Sequence, residues 1–164
     1  MSLPAQNWGV GASAMYNFQS EGLGVGIRGN FKPDNRLSFV PQISYYHIIL
    51  GTVNEFTLVL GLQYKLIYLN KCNIYAIGHG GYNHWLNASS SPMENAKTAN
   101  WNAEGGIGIT TYGCWRPFLE YRYNIKFQET HLQLGILYIF GCQGRGDGYR
   151  DARSVKNASN CTGF

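Results

Sequence analysis

The chain has 164 residues, a length that fits a single domain. Only 13% of its residues are Asp, Glu, Lys or Arg, about half the share usual in soluble domains, while aromatics reach 15% and glycine occurs 21 times. The formal net charge of +4 forms no basic stripe, which argues against nucleic-acid binding. No run reaches the roughly twenty apolar residues that a membrane-spanning helix needs.

An alternation of apolar with small or polar residues recurs eight times along the chain. Each repeat predicts a β-strand with two unlike faces. The predicted strands are 7–18, 23–31, 37–48, 56–69, 73–85, 101–112, 116–127 and 131–140. Pro41 predicts a bulge in the third strand, because proline cannot donate a ladder hydrogen bond. Short turns join most of the strands, and 87–100 is the one long polar connection.

The last strand shows the two faces most clearly. Large apolar residues occupy one face, namely Leu132, Leu134, Ile136, Tyr138 and Phe140. The other face carries Gln133, Gly135, Leu137 and Ile139. Small and polar residues suit the crowded interior of a narrow barrel, and large apolar ones suit lipid. A lipocalin or soluble sandwich, the competing architecture, would turn its apolar face inward. We therefore predict an all-β, eight-stranded, up-and-down antiparallel transmembrane β-barrel.

An even number of strands places both ends of the barrel on one side of the membrane. We expect 1–6 to be a signal-peptide remnant or N-terminal extension, 7–141 the barrel and 142–164 a polar tail. A barrel of this kind belongs in the cell outer membrane, so we expect an export leader upstream in the precursor. Both termini are then expected in the periplasm, with 87–100 outside the cell.

Several charged residues fall on the inward phase of the predicted strands. They are Arg28, Lys65, Glu104, Glu120, Arg122 and Lys126. Folding the sixth and seventh strands about Cys114 sets Glu104 near Asn124, so that Arg122 and Lys126 become its diagonal neighbours. Buried charges persist only when they are paired, which predicts a polar ladder that fills the bore. We favour a structural plug over the alternative, a gated ion path or proton relay.

Four cysteines in an exported chain predict two disulfides. The topology puts Cys72 and Cys114 in turns on the periplasmic side, Cys142 at the end of the last strand and Cys161 in the tail. Of the three connectivities we favour Cys114–Cys142 with Cys72–Cys161. Metal binding is the alternative, but the chain has no C-x-x-C spacing and its histidines are dispersed. We predict no catalytic residue, no metal site and no cofactor.

Two strands carry a family resemblance. Gln133, Gly135, Tyr138 and Phe140 resemble the signal that the outer-membrane assembly machinery reads in a last strand, and Glu120-Tyr121-Arg122-Tyr123 is similar to penultimate strands of small barrels. The stretch 8–140 resembles the OmpA transmembrane domain and OmpX. Small barrels of this composition also include the PorG-type component of the type 9 secretion system. The resemblance implies contact with outer-membrane lipid and with the assembly machinery during insertion. Short outer connections and the lack of a peptidoglycan-binding domain depart from it.

The leading functional hypothesis is a non-enzymatic structural or accessory subunit of an envelope complex for secretion or assembly. Its partner-facing tail would carry Arg145, Arg150, Arg153 and Lys156 towards outer-membrane or periplasmic proteins. One alternative is a lipid-modifying enzyme that uses His131 with Glu129 or His84 with Ser89–Ser91, although no motif joins these residues. Another is surface recognition through 87–100.

Overall fold

The computed structural model describes residues 8–33, 35–48, 54–86 and 99–142. The predicted N-terminal extension and the tail after Cys142 lie outside these ranges. Eight strands follow one another within these ranges: β1 (Trp8–Asn17), β2 (Gly22–Phe31), β3 (Leu37–Ile48), β4 (Asn54–Tyr68), β5 (Cys72–Leu86), β6 (Ala99–Thr111), β7 (Trp115–Asn124) and β8 (Glu129–Ile139). No helix within the described ranges is long and apolar enough to cross a membrane.

The strands form one closed antiparallel barrel. Each strand pairs with its neighbour in sequence, and β1 also pairs with β8. The predicted up-and-down architecture is therefore confirmed. We call the end where β1 begins and β8 finishes the termini end, and the end that carries the β1–β2 and β7–β8 turns the opposite end.

The strands are staggered around the barrel. Following the paired residues once around from Trp8 leads to Phe18, ten residues further along β1. A stagger of this kind requires the strands to tilt against the barrel axis, and eight tilted strands enclose a bore that side chains can fill.

The two faces of the wall have opposite character. Large apolar side chains such as Ile27, Leu60 and Leu134 are exposed on the outside, whereas most side chains inside are polar or charged. Exposed aromatic side chains gather near both ends, with Trp8 and Trp115 at the termini end. A continuous exposed apolar wall between aromatic belts is what a hydrocarbon environment requires.

Interior glycines make room for the largest interior rings. Each of four glycines lies directly across a ladder from a ring on the neighbouring strand: Gly24 from Tyr46, Gly61 from His79, Gly108 from Tyr75 and Gly135 from Phe118. A Cβ atom at any of the four would lie within 2.6 Å of that ring. The narrow bore therefore fills by alternating large and small residues across each ladder.

Two local predictions are wrong. Pro41 causes no bulge, because it stays in continuous register opposite Leu60, and the ladder towards β2 has no pair at its position. The register shift lies instead in β4, between Lys65 and Ile67. The seventh strand ends at Asn124 rather than at residue 127. There the Asn124 Oδ1 accepts hydrogen bonds from the backbone of the following turn, which ends the strand.

Candidate functional site

An ion pair between Arg28 on β2 and Glu120 on β7 crosses the bore. The Nη1 and Oε1 atoms are 2.6 Å apart, and the two side chains are 2% and 0% exposed. Tyr75 donates from its hydroxyl to the same Oε1 at 2.6 Å. The Arg28 guanidinium also lies over the ring of Phe118, 4.3 Å from its centroid. These contacts compensate the cost of taking both charges out of water.

A second buried cation, Arg122 on β7, links this pair to the rest of the interior. Its Nη1 lies 3.3 Å from Oε2 of Glu104, and its Nε lies 3.9 Å from Oε2 of Glu120. Arg122 donates to Nδ1 of His79 at 3.1 Å, so this ring nitrogen carries no proton. It also donates to Oε1 of Gln133. Two arginines and two glutamates thus cancel in formal charge at the centre of the barrel.

A set of amides and hydroxyls closes the bore beside these charges. Gln133 on β8 donates from Nε2 to the Ser13 hydroxyl at 2.7 Å and to Oε1 of Gln42 at 3.1 Å. Gln42 in turn donates to the Ser44 hydroxyl at 2.8 Å. Strands β3 and β8 are not neighbours in the sheet, so the Gln42–Gln133 contact spans the interior.

Towards the opposite end, a histidine lies between a carboxylate and a phenol. His131 Nε2 is 3.6 Å from Oε2 of Glu129, which also accepts from Asn17 at 3.0 Å. The His131 Nδ1 is 3.1 Å from the Tyr46 hydroxyl. A carboxylate, an imidazole and a phenol could exchange protons in such a row. However, His131 faces the bore and is 3% exposed, so it does not reach the membrane lipid.

At the termini end the interior opens into a small polar cavity. Its volume is about 10 Å³, room for about one water molecule, and its lining includes Lys65, Arg116, Asn30 and Asn73. Lys65 donates to the backbone carbonyl of Pro33. The Oδ1 atoms of Asn30 and Asn73 are buried without a hydrogen-bond partner in the described part of the chain. Within that part, no three His, Cys, Asp or Glu residues form a group able to hold a metal.

Five of the six charged residues predicted for the interior lie there. Arg28, Lys65, Glu104, Glu120 and Arg122 are all buried. The placement of Lys126 in this set is wrong. Because β7 ends at Asn124, Lys126 lies in the following turn, where it is exposed and donates to Asn100 at 3.0 Å. The predicted pairing of Glu104 with Asn124 is present in the β6–β7 register.

Three of the four cysteines lie in the described ranges, at the end of the barrel where the sequence predicted them. A disulfide joins Cys114, in the turn between β6 and β7, to Cys142 just after β8. Cys72 begins β5 at the same end of the barrel. Its predicted partner, Cys161, lies outside the described residues, so that pairing stays a prediction.

The proposed assembly signal divides between the two faces of β8. Gln133 is buried in the bore, and the inward Gly135 gives space to the Phe118 ring. Tyr138 faces outward, and Phe140 follows the strand and stacks on Trp8 with ring centroids 4.0 Å apart. The four basic tail residues, Arg145, Arg150, Arg153 and Lys156, lie outside the described ranges.

Sequence reasoning missed several interior groups. Arg116 alternates in step with Glu120 and Arg122 along β7, so the same alternation could have predicted that its side chain faces the bore. His79 was missed because the many glycines of β5 hide its alternation, although it pairs directly with Glu104. Glu55 lies at the second position of β4, which begins two residues earlier than predicted.

Comparisons with known proteins agree with this geometry at the level of the fold. No protein-family model matches the chain, and no curated protein sequence matches it. Among solved structures, Neisserial surface protein A (NspA) is similar at 14% identity with a TM-score of 0.62, over 83% of this chain and 99% of that chain. The N-terminal β-barrel domain of Pseudomonas aeruginosa OprF is similar at 16% identity and a TM-score of 0.58, over 83% and 99%.

A third similar structure is Yersinia pestis Ail in a phospholipid bilayer nanodisc. It is 12% identical with a TM-score of 0.54, over 82% of this chain and 99% of that chain. At such identities the likeness shows the fold alone. The chain has the closed eight-stranded architecture of outer-membrane β-barrels.

Proposed function

We propose that this chain is an outer-membrane barrel that serves as a non-enzymatic structural or accessory subunit of an envelope complex for secretion or assembly. The observation that carries the proposal is the filled bore. Arg28–Glu120 and Gln42–Gln133 both span the interior, so side chains that bond to one another fill the lumen. The surfaces that remain for interaction are the outer wall and the two rims.

The termini end is the side that we assign to a partner. The disulfide between Cys114 and Cys142 fixes the point at which the chain leaves the barrel. From there the sequence continues for 22 residues, with four basic residues and two aspartates. A tail attached at a fixed point of the rim can present these charges to an acidic protein surface. We assign this end to the periplasm, in keeping with the resemblance to small outer-membrane barrels.

The lipid-modifying alternative draws less support. An enzyme of this kind needs its base and nucleophile where a lipid can reach them, and His131 with Glu129 faces the bore. The surface-recognition alternative depends on 87–100, of which 87–98 lie outside the described residues. The PorG-type resemblance makes a type 9 secretion complex one candidate host for the subunit.

Copurification from native membranes tests the proposal. The tagged full-length protein would be cross-linked in intact cells, extracted in mild detergent and sized before mass spectrometry. We expect a particle larger than the barrel with envelope proteins at fixed stoichiometry. Replacing Arg145, Arg150, Arg153 and Lys156 together by glutamine should deplete those partners.

The matched control is Lys126→Gln, which removes one cation from the opposite rim and should leave the partners bound. Recovery of a monomer alone, with and without cross-linking, would overturn the proposal. Altered lipid A masses on deletion and overexpression would support the enzyme instead.

A further inference from the structure

The two ends of the barrel carry opposite charge. Cations described at the termini end are Lys32, Arg36, Lys65, Lys71 and Arg116. At the opposite end the described carboxylates Glu21, Glu55 and Glu129 lie with the cation Lys126. Midway between these ends, the positive charges of Arg28 and Arg122 are cancelled by Glu120 and Glu104. The sequence adds Asp34 to the β2–β3 connection, which still leaves the termini end positive, and it adds Glu94 and Lys97, which cancel, to the β5–β6 connection.

Three of these cations are exposed at the edge of the wall, and we call them the basic rim. Lys32 and Arg36 lie between β2 and β3, and Lys71 lies between β4 and β5. The Arg36 guanidinium carbon is 4.9 Å from the centroid of the Tyr64 ring. Tyr64 faces outward on β4 and is 40% exposed. Arg36 therefore lies against the outer wall, not over the bore.

Aromatic side chains mark the depth of the basic rim. Phe31 precedes Lys32, and Tyr68 comes three residues before Lys71, and both rings are exposed on the wall. Exposed aromatic rings at the end of an apolar wall lie at the level of the lipid headgroups, where the hydrocarbon layer of the membrane ends. Cations at that depth meet the phosphate layer of the adjacent leaflet, and a guanidinium can bind a phosphate through two parallel hydrogen bonds.

We propose that the basic rim of Lys32, Arg36 and Lys71 binds the phosphate groups of anionic lipids in the leaflet around the termini end. The acidic opposite end lacks this preference, so the barrel selects different headgroups in its two leaflets. This lipid binding goes beyond the subunit role, because it depends only on residues at the outer wall of the barrel and not on a protein partner.

Quenching of tryptophan by brominated lipid tests the proposal. Full-length protein would be placed in phosphatidylcholine nanodiscs that contain either brominated phosphatidylglycerol or brominated phosphatidylcholine. The variant W85F/W101F keeps the tryptophans of the termini end, and the variant W8F/W115F keeps those of the opposite end. We expect the termini-end tryptophans to show a relative affinity for phosphatidylglycerol on the order of fivefold, the ratio that one interfacial cation supplies. The opposite-end tryptophans should show no such preference.

The triple variant Lys32→Gln, Arg36→Gln and Lys71→Gln should lose the preference at the termini end. Lys126→Gln, a control at the opposite rim, should leave it unchanged. Heat-dependent migration on a gel verifies that each variant is folded before quenching is measured. Equal preference in the two tryptophan variants, or a preference that survives when the triple substitution is made in folded W85F/W101F, would overturn the proposal.

Discussion

Gly108 lies directly across the β5–β6 ladder from Tyr75, and a Cβ atom at Gly108 would lie 2.5 Å from the tyrosine ring. The ring cannot move freely, because its hydroxyl donates to Glu120 in the centre of the bore. We predict that Gly108→Ala lowers the free energy of unfolding by about 1–3 kcal/mol through overpacking. Urea titration of the protein in phospholipid vesicles measures the change.

Gly105 on the same strand is the matched control. It faces the lipid, and a Cβ there would meet nothing within 4 Å. Gly105→Ala should therefore stay within about 0.5 kcal/mol of the parent protein. Equal effects of the two substitutions would contradict the large-against-small packing of the interior.

The Arg28–Glu120 pair should show strong coupling. Glu120→Gln alone leaves Arg28 buried without its carboxylate. Arg28→Gln leaves the buried Glu120 without its nearest cation, with Arg122 3.9 Å away. We expect each single change to cost about 3–5 kcal/mol, and the double variant to cost clearly less than the two costs added together. The same urea titration gives all four free energies of the cycle.

Thr57→Ser, at another interior position, serves as the reference for small changes in the bore. Additive costs for Arg28→Gln and Glu120→Gln would show that the two side chains do not interact across the barrel. In that case the central network would not act as one unit.

Peptide mapping of the unreduced protein should find two disulfide-linked peptide pairs. We expect Cys114–Cys142, which the structure contains, and Cys72–Cys161, which remains a prediction from the sequence. Cys161→Ser should then release one titratable thiol at Cys72. Cys114→Ser should lower the free energy of unfolding by about 3.5 kcal/mol, because the bond closes a loop with a sequence separation of 28. A Cys72–Cys142 peptide in the map would refute this connectivity.

The sequence was enough to predict the fold because the strands have two unlike faces. Alternation in β1, β2, β7 and β8 assigned inward and outward residues correctly, since lipid and bore demand opposite side chains at adjacent positions. Alternation did not predict correctly where the strands end. Lys126 has the inward phase, but Asn124 ends the strand before it through side-chain hydrogen bonds that alternation does not encode.

The alternation along each strand shows which side chains face the bore, but it does not show which of them contact one another. The contact of Gln42 with Gln133 joins β3 to β8, and it depends on the stagger of the barrel rather than on either strand. Only the closed register brings such residues together. The glycines opposite Tyr75 and His79 were visible in the sequence, but their pairing with those rings needed the register as well.

The orientation of the barrel in the cell can be tested with an epitope. We expect a tag inserted between residues 92 and 93 to bind antibody on intact cells, because this connection belongs to the end away from the termini. A tag after Phe164 should bind only after the outer membrane is permeabilised. The reverse pattern would place the termini outside the cell and would move the basic rim to the outer leaflet.

The filled bore should not conduct ions. Gln42 and Gln133 meet across the interior beside two compensated ion pairs, so an ion would have to lose its water to pass. Planar-bilayer recordings of the parent protein should show no steady unit steps. Gln42→Ala with Gln133→Ala removes one of the two contacts that span the bore, and adding Arg28→Ala and Glu120→Ala removes both. The fourfold variant should give small steps, whereas Leu134→Ala on the lipid-facing side of β8 should not. Regular steps from the parent protein would mean that the central network opens, and they would favour a gated path over a plug.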